Sequence, residues 1–378
     1  MDGGTLGVAT VRVVRLGPDA IGERLAVDLC DAAGRLMLSA GTELTERLVL
    51  RLSTRGYLSL GVIDPLAPDV VALQAIGEEP RREVMAALAD CLRSAGETGR
   101  VVLGRDLWGV LEDIREGIQQ SGAVAVHLSG LRSLGEYTLA HSANVCVYTM
   151  ILGAVIGLDS VDLRYLGLGA LLHDIGKIHY MTLVEKSGPL TDEEFALMQR
   201  HTTDGFELLR RQQDIDLRCA HMAFQHHERL DGSGYPRGLA GAAIHPFAQA
   251  VAIADVYDTM TADRAYGCAQ PPHVALGELQ SMADAGLLDR HLVRQFVGRL
   301  AAYPEGTVVQ LGTGELAVVV AQTNRGPRAP RVRVVADAAL HLLGGADERD
   351  VAPGLPGSEI AAVLNDYPPH VREQVLAV

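Results

Sequence analysis

The sequence has no run of basic residues, and this absence narrows the kinds of partner the protein can have. Its 378 residues carry a formal net charge of −14. Proteins that bind duplex nucleic acid normally present a basic stripe, because neutralised phosphates supply most of their non-specific affinity. The composition therefore argues against a duplex nucleic acid as partner. An anionic ligand would need another source of attraction, and a bound metal cation could supply it.

Closely spaced cysteines are also missing. The chain has 5 cysteines, which are scattered and form no C-x-x-C pair. An odd and dispersed set argues against a disulfide framework and against a zinc site made of thiolates. We therefore expect buried thiols in a reducing compartment.

The sequence shows neither an N-terminal signal peptide nor a long apolar run. Apolar stretches such as residues 166–172 are far shorter than the ~20 residues that a membrane span requires. We therefore expect a cytoplasmic protein that is not associated with a membrane.

Aromatic residues are few, and the hydrophobic content comes mainly from Ala, Leu and Val. Aromatics make up 4% of the chain, whereas hydrophobic residues of all kinds make up 48%. This composition suits packed helices at least as well as sheets. The length allows roughly two to three domains at about 150 residues each.

Two segments precede the most regular part of the chain. Residues 1–65 predict a small α+β module with a regulatory or interaction role, because 8–16 and 25–29 resemble strands and Thr45 is placed to cap a helix. Residues 66–127 predict helices that either connect this module to the next unit or begin that unit.

The remaining chain divides into a long helical segment and two short ones. Apolar residues recur at three- and four-residue spacing through 128–300, which predicts a helical bundle. Residues 301–345 predict a small β appendage, and 346–378 form a weakly patterned tail with a helix expected from Ser358. The predicted fold is therefore mainly α, an all-helical core with a small module at each end.

Histidines are concentrated in the first part of the helical segment, where 8 of the 13 lie between His127 and His227. A lone histidine is more often structural than a ligand, but such a cluster is a different matter. His173 and Asp174 follow an apolar helical run, so their burial requires compensation. Neighbouring helix residues point ~100° apart, so both can reach a metal from one helix. Lys177, one turn later, could reach a phosphate.

Other polar residues extend this candidate centre to five histidines and two aspartates. The seven are His141, His173, Asp174, His201, His226, His227 and Asp255. Imidazoles and carboxylates suit Fe, Mn, Zn, Co or Ni better than Ca or Mg. Seven ligands exceed one tetrahedral site and fit two octahedral ions that share Asp174. Two adjacent metals suit phosphodiester hydrolysis.

Asp258 lies one turn after Asp255 on the same helix face. It is a candidate for orienting a ligand histidine or Arg264, since carboxylates commonly support metal ligands in this way. An ordinary ion pair between Asp258 and Arg264 is an equally good interpretation.

One segment resembles a known family specifically. Residues 226–238, HHERLDGSGYPRG, resemble the defining motif of the HD-GYP family, and His173–Asp174 resembles the HD phosphohydrolase signature. Residues 253–266 are also similar to that family, so the resemblance covers roughly 128–300. It implies an HD-type helical bundle with a di- or trinuclear metal centre. It also implies a role in bacterial signalling, as a hydrolase that cleaves cyclic di-GMP to pGpG or GMP through a metal-bridged hydroxide.

The resemblance also implies roles for single residues. The seven histidines and aspartates match metal ligands, and Asp174 and Lys177 are expected to be catalytic. Lys177 and Arg264 match residues that hold substrate phosphates. The substrate-binding loop at the mouth of the site comprises Asp231 and Gly234 to Pro236, including Tyr235.

Two positions depart from the family pattern. Tyr137 stands where members with a third metal have a glutamate, and Glu136 should face about 100° away. We therefore expect two divalent transition metal ions, Fe or Mn, rather than three. Gly267 follows Tyr266 where members often have a basic residue, which removes one candidate phosphate contact.

The predicted function is thus metal-dependent hydrolysis of cyclic di-GMP. Two alternatives stay open: a cyclic di-GMP sensor that binds without cutting, and an HD phosphohydrolase of another nucleotide. The glycine-rich loop either shapes the pocket or, together with the flanking modules, contacts signalling proteins. The sequence is also compatible with a homodimer.

Overall fold

The structure is a computed structural model of the chain, and it describes most of the residues. The described residues are 8–9, 11–26, 28–30, 36–57, 59–72, 78–104, 107–120, 137–184, 186, 188–262, 269–351, 354, 357–364, 367–368, 371 and 374.

The N-terminal module contains six short strands and one helix. These are β1 (Val8–Ala9), β2 (Val11–Arg15), β3 (Leu29–Cys30), β4 (Leu36–Leu38), α1 (Glu46–Ser53), β5 (Ser59–Ile63) and β6 (Val71–Ala72). The side chain of Thr45 accepts a hydrogen bond from the Leu48 amide and caps α1, as predicted. Among the described residues of the strand expected at 25–29, Leu25 forms an isolated bridge and Leu29 begins β3.

Eleven helices follow in the described part of the chain, and most of them share one core. They are α2 (Glu78–Thr98), α3 (Leu107–Gln120), α4 (Tyr137–Val155), α5 (Ser160–Leu171), α6 (Met181–Val184), α7 (Asp192–Gln199), α8 (His201–Leu209), α9 (Leu217–Gln225), α10 (Pro246–Thr261), α11 (Pro272–Asp284) and α12 (Arg290–Val297). Buried residues of α2 and α3 belong to the same hydrophobic cluster as those of α4 and α5. The first two helices therefore pack with the bundle.

Helix α4 is the most apolar of these. Its window Thr138–Val155 is long and apolar enough to cross a membrane by length and composition, but 78% of it is buried inside the protein. Burial on all sides is typical of the central helix of a bundle. The polar side chains of His141, Ser142, Asn144 and Thr149 on this helix are thus buried inside the protein.

The C-terminal region is a five-stranded antiparallel sheet. Its strands are β7 (Val308–Leu311), β8 (Leu316–Ala321), β9 (Arg331–Ala336), β10 (Leu342–Asp350) and β11 (Ile360–Leu364), in the order β10-β9-β8-β7-β11. The helix predicted from Ser358 is wrong, because this segment forms β11 and pairs with β7. The prediction of a mainly α protein with a helical core is confirmed.

The segment after β5 links the N-terminal module to this sheet. Ala67 and Val70 share a buried cluster with Val318 of β8. The Tyr367 hydroxyl donates to the buried Asp64 carboxylate at 2.9 Å. The two ends of the chain therefore pack against each other.

Candidate metal centre

The turn after α5 supplies two of the predicted ligands. α5 ends at Leu171, and a 3-10 helix, Ile175–Tyr180, begins immediately after Asp174. His173 and Asp174 are therefore in a turn and not within one helix as predicted, although both are buried. The turn lets the two adjacent side chains face the same space.

In three histidines, a main-chain carbonyl lies beside Nδ1 and determines which ring nitrogen carries the proton. The Nδ1 of His173 lies 2.7 Å from the Ala170 oxygen, and that of His201 lies 2.7 Å from the Met198 oxygen. The Nδ1 of His226 is 3.0 Å from the oxygen of the residue three before it. A carbonyl can only accept, so each Nδ1 carries the proton and each Nε2 presents a lone pair. This is the tautomer that binds a metal through Nε2.

The fourth histidine is oriented by a carboxylate instead. The Nδ1 of His141 lies 2.8 Å from one oxygen of Asp258, and the amide of Asn144 donates to the other oxygen at 2.7 Å. Asp258 is thus a neighbour of a candidate ligand, as expected. The Nε2 of His141 faces inward, 3.2 Å from an oxygen of Asp255.

Asp174 lies between two groups of donor atoms. One carboxylate oxygen is 3.3 Å from the Nε2 of His173 and 3.7 Å from that of His141. The other oxygen is 3.3 Å from the Nε2 of His201 and 3.7 Å from that of His226. Each oxygen therefore faces its own pair of imidazoles, which is the arrangement of a bridging carboxylate.

The remaining two candidates complete both groups. His227 joins Asp174, His201 and His226 in a set whose donor atoms lie within 4.8 Å of one another, and His141, His173 and Asp174 form a second such set. The oxygens of Asp255 lie 3.2 Å from His141 and 3.8 Å from His227, one near each set. All seven predicted residues thus meet in one place.

The donor atoms fit a cation better than they fit one another. The Nε2 atoms of His201 and His226 are 3.4 Å apart, and both carry lone pairs when their Nδ1 atoms are protonated. The Nε2 of His173 and one oxygen of Asp174 are buried without a hydrogen-bond partner among the described residues. Buried polar atoms are costly unless compensated. These His and Asp clusters are therefore suited to hold metal.

Burial sets the charges of the imidazoles. It lowers the pKa of His201 to about 4 and that of His227 to about 3. It also lowers the pKa of His226 well below its usual value of 6.5, and neighbouring histidines add to this effect. These imidazoles are therefore neutral near neutral pH, as ligands must be.

For the carboxyl groups of Asp174 and Asp255, interactions with neighbouring residues outweigh the effect of burial on the pKa. Burial alone would raise the pKa of Asp174, but its contact with His173 and the charge of Lys177 outweigh burial and hold that pKa well below 3.8. Burial would also raise the pKa of Asp255, but its hydrogen bond with His141 and the nearby ring of His227 outweigh burial and hold that pKa well below 3.8. Both carboxylates are therefore ionised despite being buried.

The glycine-rich loop folds back over the end of α9. Tyr235 stacks on the ring of His227, with centroids 4.7 Å apart and planes 27° apart. A Cβ on Gly234 would lie 2.5 Å from the main-chain atoms of His227 to Arg229, so only glycine fits this approach. The loop thus covers a candidate ligand at the mouth of the site, where it was expected.

Glu228 holds this loop closed, a role that the sequence did not reveal. Its side chain is buried, and its two oxygens accept hydrogen bonds from the amides of Arg237 and Leu239, each at 2.9 Å. Asp231 acts within the loop, where its carboxylate accepts from the amide and hydroxyl of Ser233. Pro236 is exposed.

Of the two cations expected to hold phosphates, one is described. The Nζ of Lys177 contacts an oxygen of Asp174, and its side chain is 24% exposed. Arg264 and Gly267 lie outside the described residues, as does Glu136, and the side chain of Tyr137 is not described either. The count of two metals therefore stays a prediction.

Comparison with known proteins matches the same part of the chain. The model of the HD domain family matches residues 132–292, which contain all seven candidate ligands. This region is therefore similar to HD domains. The resemblance seen in the two motifs is thereby confirmed. The matched range holds the helices α4 to α11 and the first three residues of α12.

Several curated relatives match part of the chain. A cyclic di-GMP phosphodiesterase of Pseudomonas aeruginosa is 35% identical over 227 residues, covering 60% of this chain and 54% of that protein. A 3′3′-cGAMP-specific phosphodiesterase of Vibrio cholerae is 31% identical over 199 residues, covering 52% and 46%. A cyclic di-GMP phosphodiesterase of Thermotoga maritima is 38% identical over 159 residues, covering 40% and 43%. The chain thus spans about half the length of these relatives.

Proposed function

We propose that this protein is a metal-dependent phosphodiesterase that hydrolyses cyclic di-GMP to pGpG or GMP. The observation that carries the proposal is the pair of donor sets that share Asp174. Relatives named as phosphodiesterases of cyclic di-GMP and of 3′3′-cGAMP support a cyclic dinucleotide as the substrate class.

The proposal assigns two metal ions, Fe or Mn, to the seven candidate ligands. One ion would be held by His141, His173 and Asp174 and the other by Asp174, His201, His226 and His227, with Asp255 beside both. When bound, such a pair supplies hydroxide near neutral pH and stabilises the entering and leaving oxygens of a phosphodiester.

The side chains around the ligands prepare the site for this chemistry. Asp258 fixes the ring of His141, and Tyr235 covers that of His227, so neither ligand can rotate freely. Lys177 carries the one described cation beside the bridging carboxylate, where it can neutralise charge on a phosphate oxygen. Arg264 is proposed to do the same.

A product assay tests the proposal. Protein purified without oxygen and loaded with Fe or Mn is incubated with cyclic di-GMP, and we expect pGpG or GMP as product. His173→Ala should abolish both metal binding and turnover. The matched control is His179→Ala, because this histidine is exposed on the 3-10 helix only six residues later. If His173→Ala keeps its metal and its activity, the assignment of the centre is wrong.

The same assay separates the alternatives. Binding of cyclic di-GMP without product would favour a sensor. Faster turnover of 3′3′-cGAMP than of cyclic di-GMP would favour 3′3′-cGAMP as the substrate, in line with the name of one relative. Faster turnover of a mononucleotide or a guanosine polyphosphate would favour another HD phosphohydrolase. The flanking modules are proposed as regulatory or interaction units, and a cytoplasmic location is proposed for the chain.

A further inference from the structure

A cleft of about 470 Å³ lies between the helical bundle and the C-terminal sheet. One wall is α12, which contributes Arg294 and Val297. The facing wall is the loop between β8 and β9, which contributes Arg325, Pro327 and Arg328. None of these residues belongs to the metal centre, so the cleft is a separate feature of the molecule.

The charge of this cleft is unusual for a chain with a net charge of −14. Three arginines line it, and the described residues that line it include no acid. Arg325 lies 3.8 Å from Asp350, whose other oxygen is 2.8 Å from Arg331. Arg294 and Arg328 form no ion pair within the described part of the chain. Such a concentration of positive charge attracts anions.

The loop that presents two of these arginines is held in place before any ligand binds. The carbonyl oxygen of Pro327 accepts from the amide of Ala302 at 3.0 Å, which ties the loop to the end of the bundle. The Thr323 hydroxyl donates to the Ala329 carbonyl, which closes the loop on itself. A preformed site loses less entropy on binding than a mobile one.

We propose that this cleft binds a small phosphorylated ligand with a flat apolar part, of the nucleoside diphosphate class. Guanidinium groups match phosphate oxygens in geometry and charge. Val297 and Pro327, which are partly exposed, offer apolar surface to the face of a ring. The volume lies within the roughly 300–1,000 Å³ range of small-molecule sites. A ligand there contacts both α12 and the sheet, so its binding stabilises their junction.

Calorimetric titration of the metal-free 378-residue chain tests the proposal. The probe is GDP, with inorganic pyrophosphate and guanosine as its two halves. We expect GDP to bind with a Kd below ~1 mM, pyrophosphate to bind more weakly and guanosine not to bind. The affinity for GDP should fall as salt is added, because salt screens the arginines.

Variants assign the binding to this cleft. Arg294→Ala/Arg328→Ala should weaken GDP binding at least ~10-fold, since each charged hydrogen bond contributes substantially. Arg290→Ala is the matched control, because Arg290 begins α12, is exposed, pairs with Asp284 at 3.4 Å and does not line the cleft. It should leave GDP binding unchanged.

Three results would overturn the proposal. These are equal GDP affinity in the double variant and the unmodified protein, equal affinity for guanosine and GDP, and no binding of any probe. Both replaced arginines are exposed, so the double variant should fold. Comparison of its melting temperature with that of Arg290→Ala checks this, and Arg325→Ala provides a second variant on the facing wall.

Discussion

Replacing Glu228 by glutamine should open the loop over the metal centre without unfolding the bundle. The buried carboxylate accepts from two amides, those of Arg237 and Leu239, at 2.9 Å each. Glutamine has one acceptor oxygen, so one amide would face an NH₂ group that cannot accept. The remaining hydrogen bond would also lose its charged acceptor. Loop closure should therefore weaken, while the helical core keeps its contacts.

The magnitude follows from these two bonds. A hydrogen bond to a charged group contributes roughly 1.5–3 kcal/mol and a neutral one roughly 0.5–1.5 kcal/mol, so the variant loses one bond and part of another. Glutamine is less costly to bury than a carboxylate, which offsets some of this loss. We therefore expect the free energy of loop opening to fall by roughly 2 kcal/mol. Amide exchange in the loop should then accelerate more than ~10-fold, since 1.4 kcal/mol is a factor of ten.

Hydrogen exchange followed by mass spectrometry measures this directly, on peptides that cover residues 229–240. The matched control is Glu278→Gln, an exposed glutamate on α11, which should leave the exchange rate of the loop unchanged. Metal affinity is a second readout, because loss of a residue that supports a ligand typically costs roughly 10–100-fold. An unchanged exchange rate in Glu228→Gln would refute the role of this carboxylate in closing the loop.

Three further predictions concern the centre and its cover. Asp174→Asn should lose metal from both donor sets, because each set uses one oxygen of this carboxylate. Elemental analysis of the loaded variant measures its metal content. The pKa of His201 is about 4 in the folded protein against 6.5 normally, so the unfolded chain binds this proton first as pH falls. The free energy of unfolding of the metal-free protein should therefore decline from pH 6.5 towards 4, and urea titrations across this range would show it. Gly234→Ala should destabilise the protein by roughly 1–3 kcal/mol, because the new Cβ would clash with main-chain atoms of His227 to Arg229. Gly277→Ala is the matched control: its Cβ would meet open space on helix α11, and it should stabilise the protein by about 0.5–1 kcal/mol.

The candidate ligands could be predicted from the sequence because their chemistry is carried by residue type. Histidines and aspartates after apolar helical runs have few other reasons to be buried together, and the 226–238 motif added a specific resemblance. Helical spacing also predicted that Asp258 would share a face with Asp255. The geometry of His173 and Asp174 could not be predicted, because glycines lie both inside the apolar run, at 167 and 169, and after it, at 176, so none of them marks the residue at which the helix ends.

The features that were missed depend on contacts between distant residues. In β11, Ile360, Val363 and Leu364 have a spacing that fits one face of a helix as well as a strand. Pairing with β7, about 50 residues earlier, decides for the strand. Glu228 was missed because its partners are main-chain amides, and nearly every residue has one.

The loop and the ligands before it depend on each other. His226 and His227 supply two donors, and Glu228 then turns away from them to bind amides nine and eleven residues later. That closure brings Gly234 against the main chain of His227 to Arg229, and the absence of a Cβ lets Tyr235 reach the ring of His227. A change at Glu228 or at Gly234 should therefore act on the metal centre through Tyr235, although neither residue supplies a donor atom. The spacing of the motif is thus a requirement of loop closure as much as of ligand chemistry.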